Sequence, residues 1–256
     1  MKRILLVFCT MMCTVLVHAQ QLGDYMEIGG VPGFIFYLDE SGEHGLVMSF
    51  YKMDEKDAKK LAKKNNLAEE KVLRLAPPEK EKIKVKSKEM DAYREDLANI
   101  LTDDGKYNRT AIADYCNKNN LDLSIFKGQD FAAFLGDGWF IPGDNELEKF
   151  ARFYVGGLGE SHPFSAKEVL SRSKEVTPDP LVQDIVMRMA FNGIRSSSLK
   201  DPKWGFRALI RYIQPGLKMK EHLEIVDKIK MTKFTYGSVE TAKLINGIKT
   251  CAVHEF

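Results

Sequence analysis

The segment Trp139-Phe140-Ile141-Pro142 constrains this chain more tightly than any other. A proline clashes with a helical residue before it, so Ile141 is held extended. The apolar stretch through Ile141 therefore runs extended and stops at Pro142. Beyond it Leu147, Phe150, Ala151 and Tyr154 fall on one face of a 3.6-residue repeat, which predicts a helix. With Gly143 as the cap, Glu146 stands third in that helix. A carboxylate there reaches back to the N–H of the cap residue. Glycine returns no side-chain bond, so this is half of a capping box. Trp139, Pro142 and Glu146 thus read as a structural motif, with Trp139 the large buried anchor. A catalytic acid at Glu146 would need a second carboxylate or a histidine beside it, and the sequence supplies none there.

The N-terminus predicts export. Lys2 and Arg3 precede an apolar run from Ile4 to Val17, broken only by Thr10 and Thr14. Val17-His18-Ala19 then puts small residues at the −3 and −1 positions of a cleavage site. Residues 1–19 read as a secretory signal peptide, cut after Ala19. The run is too short for a membrane anchor, which needs about 20 apolar residues. The residues before Cys9 and Cys13 do not form a lipobox. The expected location is the periplasm, the cell surface or outside the cell.

Cleavage changes the charge. The whole chain carries 38 Lys and Arg against 36 Asp and Glu; losing Lys2 and Arg3 leaves 36 of each. A neutral chain projects no long-range field toward nucleic acid or an anionic membrane. Of four cysteines, Cys116 and Cys251 remain. They could bridge in an oxidising compartment, but a chain of this size needs no single bridge. Buried free thiols are the expectation.

Along the mature chain, residues 20–51 read as β. Gly29 to Gly33 is a turn-rich spacer, and Phe34 to Leu38 is an apolar, aromatic strand. Asp39 to Glu43 turns, and His44 to Ser49 returns as its partner. Residues 52–101 form a charged helical insert of two or three amphipathic helices, broken at Pro77-Pro78. Ala58, Leu61 and Ala62 share one face; Met90, Tyr93, Leu97, Ile100 and Leu101 share another. The charges have mixed signs, as on a solvated face.

Thr102 to Asn108 reads as a loop, and Ala111 to Asn119 as a helix. Asp103-Asp104-Gly105 lacks the other ligands of a calcium loop. Asn108-Arg109-Thr110 has the glycosylation pattern. Residues 160–180 read as a loop with one helical turn near Ala166–Arg172. Val182 to Phe191 fits helix or strand. Trp204 to Ile213 alternates like a strand. Residues 215–256 form a C-terminal β-hairpin extension, with Asn246-Gly247 as its two-residue turn.

Four blocks in order carry a resemblance. Phe34 to Val47 resembles the opening hairpin of a family of secreted Bacteroidetes proteins, the "major paralogous domain", which has a C-type-lectin-like fold. Asn108–Ala113 is similar to the family's Asn-Thr helix start. Trp139, Ile141, Pro142, Glu146 and Leu147 resemble its Trp-x-Leu/Ile-Pro-Ser-x-x-Glu-Leu block. Phe206 to Arg211 is similar to its Arg-alternating strand. Gly143 replaces the family's serine. Its Trp-Ser-Ser-Thr block is only echoed by Arg195-Ser196-Ser197-Ser198. The 52–101 insert and the 215–256 tail lie outside the pattern. The resemblance implies an α+β, C-type-lectin-like domain over 20–214 and an exported protein. It implies no catalytic residue.

The mature chain has no HExxH, CxxC, GxSxG or P-loop motif. Its histidines (His44, His162, His222 and His254) have no metal-ligand spacing. No metal site, catalytic residue or cofactor is expected. The leading expectation is a non-catalytic binding module whose ligand region spans 157–203, a long irregular loop on a rigid scaffold. Asn192, Arg195, Asp201 and Trp204 are its ligand candidates, for a glycan or peptide. Trp204 equally suits the core. The second expectation is a structural protein that docks an envelope partner through 52–101 or the C-terminal hairpin. The third is an oxidase related to formylglycine-generating enzymes, which would have only Cys116 and Cys251 to work with.

Overall fold

The computed structural model describes residues 20–79, 83, 85–126, 128–155, 166–192, 194–198, 207–208 and 249–256. The fold is α+β. A four-stranded antiparallel sheet has the order β1-β2-β3-β6, formed by Tyr25–Ile28, Val31–Leu38, Gly45–Ser49 and Val253–Glu255. Arg195–Ser196 (β4) and Arg207–Ala208 (β5) form a separate antiparallel pair. Around them lie α1 (Glu55–Asn65), α2 (Glu69–Leu73), α3 (Ser87–Ala98), α4 (Gly105–Asn119), α5 (Gln129–Leu135), α6 (Asp144–Val155), α7 (Ala166–Glu175) and α8 (Pro180–Asn192). No helix among the described residues is long and apolar enough to cross a membrane.

The hairpin read from the aromatic run is β2 and β3. The expected spacer at 29–33 is much shorter. Gly29 and Gly30 alone make the turn, both at positive φ (59° and 78°), and Ile28 pairs directly with Val31. Two consecutive positive φ values are what a tight hairpin turn requires, and glycine takes them without a Cβ clash. Val31, Pro32 and Gly33 therefore belong to β2.

Phe34 and Phe36 stand two apart on β2 and meet Phe150 of α6, with ring centroids 6.3 and 6.1 Å away. Leu147, Phe150 and Tyr154 are the buried face of α6, as the 3.6 spacing predicts. The main core joins these to Val182, Ile185, Val186 and Met189 of α8. It also takes in Ala58, Leu61, Ala62, Val72 and Leu75, so α1 and α2 are built into the main core. A second core comprises Leu97, Ile112, Cys116 and Phe126, with Met90, Tyr93 and Tyr115 packed against it.

Three helices differ from the sequence reading. Helix α4 begins at Gly105 and not near 111, because the Asp104 side chain caps it by accepting from Tyr107 N at 2.8 Å. The single turn expected near 166–172 is a ten-residue helix, α7. The segment 182–191 is helical; Asp179 accepts from Leu181 N at 2.7 Å and Pro180 takes the first helical position, where its missing N–H costs nothing. Of the strand expected over 204–213, Arg207 and Ala208 lie among the described residues. The Asn246-Gly247 turn lies outside them.

Residues 253–255 add the fourth strand of the sheet. Leu46, Val47 and Met48 of β3 pair with Glu255, His254 and Val253. On its other side Val253 bridges Phe140, with N–O distances of 3.0 and 2.7 Å. The extended segment at 139–141 thus lies against the last strand.

Candidate functional site

Three remote pieces of chain meet at a buried polar junction. They are the start of α4, the start of α6, and Arg195–Ser198. Glu146 sits at its centre, 7% exposed. Its Oε2 accepts from Gly143 N at 2.7 Å and from Gly105 N at 2.9 Å. One carboxylate oxygen thereby serves the cap of α6 and the first residue of α4, where unpaired N–H groups favour negative charge. Burial, with Asp104 nearby, still holds the Glu146 carboxyl above its ordinary range despite these N–H donors.

The missing side-chain cap at Gly143 has a steric reason. A Cβ there would lie 2.2 Å from the Asp103 carbonyl oxygen. The cap is supplied from elsewhere: Asp144 N donates to Ser198 Oγ at 3.0 Å, and Asn145 N to the Asp103 carbonyl at 2.9 Å. Gly105 is also held by close approach, since its Cβ would fall 2.5 Å from Gly143 N.

Asn108 completes the junction. It is fully buried, and its side chain bonds both backbone groups of Thr102 at 2.8 Å and donates to Ser197 Oγ at 3.1 Å. A buried amide with these partners is no glycosylation acceptor, so Asn108-Arg109-Thr110 is a chance match to that short pattern. Ser196 Oγ donates to Asp144 Oδ1 at 3.0 Å, Ser198 Oγ to the Thr102 carbonyl at 2.9 Å, and Ser197 N to the Pro142 carbonyl at 2.7 Å. The sequence marked Glu146 through its helix-cap position; the serines it marked only as an echo of the Trp-Ser-Ser-Thr block, with no role attached.

The four ligand candidates fall differently. Arg195 is 9% exposed; its Nε donates to Thr250 Oγ1 at 3.0 Å and its backbone N to the Lys249 carbonyl at 2.9 Å. Burial lowers its guanidinium to about 10, with Asp130 opposing that shift. Arg195 ties β4 to the chain's last segment. Asn192 ends α8, three residues before Arg195. Asp201 and Trp204 lie outside the described residues. The expected long irregular loop over 157–203 is corrected in its middle, which is occupied by α7 and α8. Trp139 is 3% exposed, with its ring 5.2 Å from that of His254.

Cys116 and Cys251 are free and buried in different cores. Burial raises both thiols, Cys116 to about 11. A thiol held protonated is a poor nucleophile.

Searches against protein-family models, curated proteins and solved structures found no match for this chain.

Proposed function

We propose that this chain is an exported, non-catalytic binding module on a C-type-lectin-like scaffold, with a glycan or peptide ligand at the cell envelope. One observation carries the reading. Asn108 and Ser197 are 89 positions apart, yet they hydrogen-bond within the network that holds Pro142 and Glu146. Two of the four blocks that carry the family resemblance, those at Asn108 and at Trp139 to Leu147, and the serine echo at 196–198 are therefore neighbours in space. The raised, mutually remote thiols argue against the oxidase alternative. In this reading Arg195 is a strut, and the ligand contacts fall to Asn192, Asp201 and Trp204. A glycan array probed with residues 20–256, with and without calcium, tests it. The expected result is calcium-independent binding to one sugar class, lost in Trp204→Ala while the protein stays folded. A Trp204→Ala variant that unfolds would make Trp204 a core residue and remove it from the site.

The reading as a partner-docking protein is favoured by a different observation, the outward face of α1.

A further inference from the structure

Lys56, Lys59, Lys60 and Lys63 stand at i, i+3, i+4 and i+7 on α1, opposite the buried Ala58 and Leu61. That spacing gathers side chains on one helix face. The four lysines line a groove of about 740 Å³ whose lining also includes Ala62 and the half-buried Leu67. Glu55 holds Lys59 at 2.6 Å and Asp57 holds Lys60 at 3.3 Å. Among the described residues no ion pair engages Lys56 or Lys63. The groove therefore offers two uncommitted cations together with the half-buried Leu67.

We propose that this groove docks an acidic polypeptide segment, two carboxylates on Lys56 and Lys63 and an apolar side chain against Leu67. Seven helical residues separate the two lysines by about 10 Å along the axis. A polyproline II segment rises about 3.1 Å per residue and returns to the same side every third residue, so its i and i+3 carboxylates match that span. Glu55 and Glu69 also line the groove. They repel a continuous polyanion such as nucleic acid, whereas two discrete carboxylates can sit clear of them. This inference rests on the partner-docking reading and shares no residue with the glycan site.

The test titrates the full chain with an acetylated, amidated Gly-Glu-Leu-Pro-Glu-Gly peptide by calorimetry at low salt. Saturable binding is expected, weakening as salt rises. The Lys56→Glu/Lys63→Glu variant should lose at least about tenfold in affinity, with its melting temperature checked against the parent. Lys56→Gln/Lys63→Gln should lose less, and Lys118→Glu on α4 nothing. No saturable binding, equal binding by the charge-reversed variant, or a stronger response to an oligothymidylate or to phosphatidylglycerol vesicles would overturn the proposal. A lysine-acetylation footprint separates the two levels. If the peptide fails while α1 lysines are protected in envelope preparations, the partner is not an acidic segment but docking stands. If they label as readily there as in the purified chain, both readings fall.

Discussion

At the scale of single residues, the junction makes Gly143 and Glu146 the most informative positions. Sequence rules favour serine at the cap, which would add a bond to the helix and a few tenths of a kcal/mol over glycine. The Asp103 carbonyl, 2.2 Å from where the Cβ would stand, reverses that expectation. Gly143→Ser should destabilise by about 1–3 kcal/mol, read as a lower urea midpoint at unchanged slope. A higher midpoint would mean that the 102–104 backbone yields easily. Glu146→Ala strands two buried N–H groups and should cost about 2–5 kcal/mol. Glu146 also sets a pH dependence. Its folded pKa lies above its unfolded value, so its contribution is full below the unfolded pKa and is lost as pH rises through the folded one. Glu146→Gln keeps an oxygen for both donors and removes that titration. The urea midpoint of the variant should therefore fall less than the parent's from mildly acidic to neutral pH. Parallel profiles would show that another group governs the slope.

At the scale of elements, helix α6 shows what the sequence could and could not convey. Pro142 stopped the extended segment and the spacing of Leu147, Phe150 and Tyr154 set the buried face, because both effects are local. The partners of its first N–H groups were not legible: Ser198 lies 54 positions away, and nothing in the local pattern points there. Helix α4 was cut short in the reading because Gly105 looks like loop, although Asp104 carried the capping signal. Gly105 is there for its close approach to Gly143, a tertiary demand overriding helix propensity. Helix α7 was obscured by the prolines that flank it at 163 and 178. A cap supplied in trans is testable. Ser198→Ala should cost about 1 kcal/mol, and amide exchange should quicken at Asp144 more than at Tyr154. Uniform quickening along α6 would assign Ser198 to global stability instead of capping.

At the scale of the whole molecule, two cores meet at the polar junction and again where Phe126 leads into α5, and the sheet draws on both ends of the described chain. The resemblance anticipated an α+β domain but placed 215–256 outside it. The last six residues are instead sheet and core: Cys251, Ala252 and Val253 are fully buried, and Ala252 N donates to Ser49 Oγ at 2.9 Å across 203 positions. Removing residues 251–256 should therefore abolish cooperative unfolding in a thermal melt, whereas a dispensable tail would leave the transition intact. Cooperative melting of the truncated chain would show that β3 can stand as an edge. The pairing of β3 with β6 also has a consequence in time. During synthesis the first three strands emerge long before the fourth, and β3 has no β6 neighbour until the 203 positions from Ser49 to Ala252 have been made. The sheet cannot close as one run of consecutive strands; its fourth strand arrives only after all the helices α1 to α8 have been synthesised.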